Sequence, residues 1–252
     1  MDDFPFFAKP DLLAARRVLC IQPHYDDADI AAGGTMAALA KAGAKIAYLT
    51  VTNDMLGVLD TGLTLQQATD QLHHEQKEAG AFVGVSEHIW LDFPDGGPID
   101  YHALRSALIK AIRSFSPDFL LAPDPWMPYE AHRDHIITGQ AAAESVLMYA
   151  LPRMATDPAV DAAYQPHEIK GIAFYFTHAP NTIIEITKTR QAKHEALDCY
   201  KAQFTPEDMQ GLHMLLEFKE QDLGQKEGVP YAEGFKALAP QQLHCNVDAW
   251  GM

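Results

Sequence analysis

Cysteine is scarce in these 252 residues: Cys20, Cys199 and Cys245 make an odd number with no closely spaced pair. That excludes a disulfide framework and a cysteine zinc cluster, and suits a reducing compartment. Cationic side chains are scarce too. The 19 Lys and Arg face 34 Asp and Glu, a formal net charge of −15, so nucleic acid and anionic membrane surfaces are both excluded as expected partners. No run approaches the ~18 uninterrupted apolar residues of a membrane span. The opening stretch MDDFPFFAKPDLLAARR is acidic first and basic last, the reverse of a secretory signal. These absences point to a cytoplasmic protein.

What is present suffices for a core: 48% of residues are hydrophobic and 10% aromatic, which excludes intrinsic disorder. Apolar, β-rich runs at 17–23 and 44–54 read as strands buried on both faces. A loop follows the first, and a helix begins at Gly33 with Gly43 at its C-terminus. The rhythm continues with a helix over about 64–82, a strand at 88–91, a helix over 101–115, a strand at 118–122 and a helix from after His132 to about 149. Alternation of this kind predicts an α/β fold, a Rossmann-like three-layer α/β/α arrangement with a mostly parallel sheet. The C-terminal third reads as an elaboration: a loop over 152–166, the strands GIAFYFTH and TIIEIT joined by a turn at APN, and helices over 188–203 and 206–222. With no linker or repeat, the expectation is a single domain over 1–252, its core at about 15–150 and the elaboration at about 151–252.

Sites in open α/β sheets form beyond the carboxyl ends of the strands, and two such segments are dense in polar ligands. Pro23-His24-Tyr25-Asp26-Asp27-Ala28-Asp29 follows the first strand, and Asp124-Pro125-Trp126-Met127-Pro128-Tyr129-Glu130-Ala131-His132-Arg133-Asp134-His135 follows DFLLAP. Imidazole and carboxylate together suit zinc, and three protein ligands with one open position form a catalytic site in which bound water falls to a pKa of about 7. His24, Asp27 and His135 are the expected ligands. Asp26 is then free to act as general base, His132 to donate to an oxyanion or leaving amine, and Asp134 to orient an imidazole. Dinucleotide chemistry is disfavoured, because three aspartates stand where a glycine-rich turn would cradle phosphate. Gly33-Gly34-Thr35 comes too late for that role and suits close helix packing instead.

These residues resemble the LmbE-like or PIG-L deacetylases, zinc hydrolases that remove acetyl from N-acetylglucosamine-type substrates. The family's P-H-P-D-D-E motif is matched by Pro23-His24-Tyr25-Asp26-Asp27-Ala28, and its H-P-D-H motif by His132-Arg133-Asp134-His135. Leu91-Asp92-Phe93-Pro94-Asp95-Gly96 and the Lys193 to Gln203 stretch are weaker echoes. The resemblance implies zinc at His24, Asp27 and His135, Asp26 as base, His132 as acid or electrophile, and a trimer or hexamer. Tyr25, Ala28 and Arg133 depart from the pattern beside the metal and reshape the pocket rather than remove a ligand.

Candidate substrate residues are Tyr25, Asp95, Tyr129, Glu130 and Arg133. Asp95 in Pro-Asp-Gly is equally an ordinary turn residue, and Tyr129 and Glu130 equally exposed loop residues. His73, His74, Glu75 and Glu78 lack the HExxH spacing and read as a solvated helix face. The leading expectation is a zinc-dependent amidase acting on an N-acetyl amino sugar or its glycoside. The alternatives are a catalytically silent binding protein on the same scaffold and a phosphoester hydrolase. Iron, manganese or cobalt also suit such ligands.

Overall fold

Strand alternation sets the frame of the computed structural model, which describes residues 8–245 and Ala249; the first seven residues of the acidic opening stretch lie outside it. In β1 (Arg17–Gln22), Val18 and Cys20 enter one core while Leu19 and Ile21 enter another. In β2 (Lys45–Thr52), Ile46 and Tyr48 face the first core, and Ala47 and Leu49 the second. Each strand is thus covered on both faces, which is what its unbroken apolar run requires. The first core is roofed by α1 (Asp27–Lys41), α2 (Leu65–Val83), α6 (Arg190–Leu197) and α7 (Pro206–Glu227). The second is roofed by α3 (Tyr101–Phe115) and α4 (Arg133–Met148). The expected three layers are present.

With β3 (Glu87–Phe93), β4 (Phe119–Pro123), β5 (Gly171–Tyr175), β6 (Thr182–Glu185) and β7 (Ala232–Leu238), the sheet order is β3-β2-β1-β4-β5-β7-β6. The strands β1 to β5 pair in parallel, and β7 runs antiparallel to both β5 and β6. Because β1 has β2 on one side and β4 on the other, the order reverses between β1 and β4. That switch point opens a crevice at the strands' carboxyl ends, and both ligand-rich segments leave from these two strands.

The structure corrects four readings. The loop after β1 is short, and α1 starts at Asp27 rather than Gly33, with Asp26 at its N-cap. Asp27 and Asp29 complement the positive end of the helix dipole, and the Ala28 N–H donates to Gln22 Oε1 at 2.9 Å. The 188–203 helix is confined to Arg190–Leu197, and a short α5 (Pro158–Ala163) interrupts the expected loop, capped by Asp157. Finally, β5 and β6 do not form a hairpin, because β7 lies between them. Its sequence AEGFKAL hid it, since Glu233 and Lys236 are charged yet buried.

Gly33 and Gly34 sit where α6 crosses α1. A Cβ at Gly33 would lie 2.9 Å from Lys193 Cγ, and one at Gly34 2.8 Å from Ile186 Cβ. The pair serves packing, as its late position suggested.

Candidate active site

His24 leaves the end of β1 and is tied to the first turn of α1. Its backbone N–H donates to Asp27 Oδ2 at 2.9 Å, and its Nδ1 lies 3.2 Å from the same oxygen. Asp27 turns its other oxygen to His135, with Oδ1 3.4 Å from Nε2. His135 stands in the first turn of α4, whose N-cap is His132. That helix comes close to the end of β4 because Gly139 faces it, where a Cβ would collide with the Pro123 carbonyl. One carboxylate thus joins the two motifs across the switch point.

Around this link the imidazoles crowd. The His24 ring centroid is 4.6 Å from that of His132 and 5.3 Å from that of His135. His24 Nε2 lies 3.5 Å from Asp95 Oδ1 and 3.7 Å from Asp134 Oδ2. Asp134 in turn accepts the Gly96 N–H at 2.9 Å, which ties the loop after β3 to α4. The donor atoms of His24, Asp27 and His135 lie within 4.8 Å of one another, as do those of His24, Asp95, His132 and Asp134. His24 Nε2 and His135 Nδ1 are buried with no hydrogen-bond partner. Orphaned buried nitrogens are costly unless a ligand engages them. On the opposite edges of the two rings, His24 Nδ1 and His135 Nε2 both face the Asp27 carboxylate, and this convergent imidazole and carboxylate donor set fits a bound cation, with His24, Asp27 and His135 as its holders.

The comparisons with known proteins bear on this geometry directly. Residues 19–146 match the family model PIG-L, GlcNAc-PI de-N-acetylase. The chain belongs to the PIG-L family. It is 33% identical over 230 residues to the diacetylchitobiose deacetylase of Thermococcus kodakarensis, an alignment covering 91% of this chain and 85% of that protein. The solved N,N'-diacetylchitobiose deacetylase of Pyrococcus horikoshii, complexed with an inhibitor, superposes with a TM-score of 0.87 at 33% identity, covering 95% of this chain and 90% of that one. A 1D-myo-inositol 2-acetamido-2-deoxy-alpha-D-glucopyranoside deacetylase of Saccharopolyspora erythraea is 30% identical over 172 residues, 59% of either chain.

Within this PIG-L chain, burial and charge set the protonation of the cluster. Burial disfavours the His24 imidazolium, but Asp27 and Asp95 outweigh it and push the pKa up to about 11. Burial pushes Asp26 well above the usual carboxylate range, helped by Asp27 and Asp54 and opposed by His24. Asp27 goes the other way: burial would raise it, yet the His24 hydrogen bond and His135 hold it low. Burial likewise lowers His135, against the pull of Asp27. Neighbouring carboxyls are therefore split, Asp26 toward its protonated form and Asp27 toward its charged form, the separation that acid–base sites exploit.

Sequence reasoning missed Asp54, which lies two residues beyond the end of β2. It is buried in a left-handed conformation (φ 53°) and accepts from the Tyr25 N–H at 3.0 Å and Gln203 Nε2 at 2.7 Å. The rule of inspecting strand carboxyl ends, applied to β2 as well as to β1 and β4, would have found it. The substrate candidates take different places. Tyr25 is 0% exposed and packs its ring 5.8 Å from that of His73, so it belongs to the core. Glu130 accepts the His132 N–H at 2.7 Å and stands 3.6 Å from His135 Nδ1, the placement of a group that holds histidines. Arg133 is exposed on the first turn of α4. Tyr129 is fully exposed on the preceding loop, and Asp95 meets His24. Among the described residues no helix is long and apolar enough to cross a membrane.

Proposed function

We propose that this chain is a metal-dependent N-deacetylase that hydrolyses the acetamide of an N-acetylglucosamine-type sugar or its glycoside to the free amine and acetate. The observation that carries this reading is the convergence of His24, Asp27 and His135 at the switch point, with Asp26 beside them. When bound there, a divalent ion supplies Lewis-acid polarisation and acidifies water. Zinc is the ion that this imidazole and carboxylate set favours. Asp26, whose burial raises its proton affinity, takes a proton from the attacking water and returns it to the departing amine nitrogen. His132 donates a hydrogen bond to the developing oxyanion. Asp134 and Glu130 hold the histidines in place, and Asp95 meets a sugar hydroxyl.

Chitobiose-type disaccharides rank first among substrates, because the relatives matched over most of their length act on diacetylchitobiose. Three free thiols, Cys20, Cys199 and Cys245, support a cytoplasmic setting. The test is acetate release from a panel of N-acetylglucosamine compounds with chelator and with zinc restored. Release that chelator abolishes and zinc recovers is expected. Metal-loaded protein that liberates acetate from none of the panel would overturn the reading.

A further inference from the structure

A cavity of about 220 Å³ opens beyond the carboxyl ends of β4 and β5, beside the candidate active site. Two chain segments build both. The loop from Asp124 to His132 lines the cavity with Asp124 and Trp126, and it ends at the N-cap of α4, just ahead of His135. The segment after β5 lines the cavity with Thr177 and His178, whereas its Phe176 lays its ring on that of His135, with centroids 5.9 Å apart and planes 19° from parallel. Trp126 keeps 53% of its surface exposed, with the Phe174 ring 5.5 Å away at 81° to it. Its backbone N–H donates to Asp124 Oδ1 at 2.9 Å, so a fixed turn displays the indole. Asp124 is buried, and so is Lys236, which lines the same cavity.

We propose that this cavity seats the second ring of an oligosaccharide substrate, a pyranose linked to the N-acetylglucosamine unit whose acetamide is cleaved, with Trp126 as its stacking platform. The inference rests on the deacetylase reading and narrows it to substrates of two or more rings. A pyranose has an apolar face of ring C–H groups and an equator of hydroxyls. The face packs on an exposed indole, whose π surface is electron-rich, and the equator needs a few fixed polar groups in the pocket wall. Asp124 accepts from hydroxyls, and Lys236 donates to a hydroxyl or an acetamide oxygen. Other occupants fit worse: an acyl chain would bring only apolar surface to the Asp124 carboxylate, and a phosphate would meet it as a like charge. A single sugar leaves the cavity to water, so the contact with Trp126 strengthens binding of the disaccharide alone.

Zinc-loaded protein is assayed for acetate release from N,N'-diacetylchitobiose and from N-acetylglucosamine. Trp126→Ala is expected to lower kcat/KM for the disaccharide about 10-fold, through KM, and to leave that for the monosaccharide unchanged. Trp126→Phe, which keeps an aromatic face, recovers most of the loss and carries the test if the alanine variant disturbs the turn. A second readout needs no turnover: metal-free protein is titrated with N,N'-diacetylchitobiose while tryptophan emission is followed. A saturable change is expected in the wild type, weakened about 10-fold in Trp126→Ala. Equal losses on the two substrates would make Trp126 a structural residue, and an unchanged ratio of their kcat/KM values would leave the cavity without a sugar; either result overturns the proposal. Failure of the deacetylase reading shows instead as disaccharide binding that depends on Trp126 with no acetate released, so the two failures are separable.

Discussion

His24 and Lys193 are both buried polar side chains ringed by carboxylates, yet their surroundings are built on opposite terms. Lys193 is 1% exposed, with its ammonium 2.8 Å from Glu220 Oε1 and 2.8 Å from Glu233 Oε1. Glu233 also accepts the N–H groups of Gly34 and Thr35, and Glu220 accepts Arg190 Nε at 2.7 Å. Charges there are paired one for another. Around His24, by contrast, Asp26, Asp27, Asp54, Asp95 and Asp134 crowd together. Among the described residues, the ion pairs of Asp27, Asp95 and Asp134 are made with His24 and His135 alone. The saturated cluster holds α1, α6, α7 and β7 together; the unsaturated one keeps acceptors in reserve for something not made of protein. A buried polar group informs about function through what it still lacks.

The comparison breaks hardest at Asp26. Asp26→Asn is expected to cut kcat by about 10²- to 10⁴-fold while zinc content stays unchanged and the metal-free protein melts no lower, because a buried carboxylate has been relieved. Turnover near wild type would remove Asp26 from the chemistry, and loss of metal would move it into the ligand set. Lys193→Met gives the opposite signature. It strands Glu233 without its cation and leaves Glu220 to Arg190 and His194, so a loss of about 3–5 kcal/mol is expected in denaturant unfolding, with kcat per folded molecule nearly unchanged. A loss below about 1 kcal/mol would show that the triad is not the clasp described here.

The two regions also oppose each other in pH. Burial would raise Glu220, but His194, Lys193 and Arg190 outweigh it and hold the pKa down to about 2 against an ordinary 4.5. A depressed folded pKa contributes stability above 4.5 that is lost as pH falls toward 2, about 3 kcal/mol in all. Asp54 is raised by burial to about 6 from 3.8, so its contribution is present below 3.8 and lost as pH rises through 6. From these two groups, metal-free protein is therefore expected to be most stable at about pH 4 by thermal unfolding. Asp54→Asn flattens the neutral limb and Glu220→Gln the acid limb. A Glu220→Gln curve that keeps the wild-type acid slope would place that slope elsewhere.

The strands β1, β2 and β4 and the helices between them were legible because a doubly covered strand has no polar alternation to blur it. The convergence of His24, Asp27 and His135 was legible for a related reason: carboxylates and imidazoles have no packing purpose at a strand end, so these candidates stood out. What stayed hidden depended on partners distant in sequence. Glu233 and Gly234 disguised β7 because the cation that neutralises Glu233 is Lys193, 40 residues earlier. Tyr25 looked like a pocket residue because it adjoins His24, and only the packing of α2 showed that its ring turns inward to His73. Asp54 is the exception: it stands at a strand's carboxyl end like the others, and inspecting β2 as β1 and β4 were inspected exposes it.

The mildest test lies where the two regions touch. Tyr200 Oη stands 2.9 Å from the Tyr25 carbonyl and 2.5 Å from Asp29 Oδ2, and Asp29 also accepts Tyr48 Oη at 2.7 Å. A phenol has one proton, so both contacts are satisfied together only when Asp29 carries a proton of its own, and burial does push that carboxyl up to about 6. Tyr200→Phe removes the hydroxyl and leaves Gln76 Nε2, at 2.8 Å, as the remaining side-chain anchor of the Tyr25 carbonyl. The expected cost is about 1–2 kcal/mol in denaturant unfolding, with kcat down several-fold because the turn between His24 and Asp26 is held from one side only. A drop beyond about 100-fold would put Tyr200 in the chemistry rather than behind it. An unchanged kcat with the full stability loss would show that the saturated cluster ends at Asp29 and does not reach the site at all.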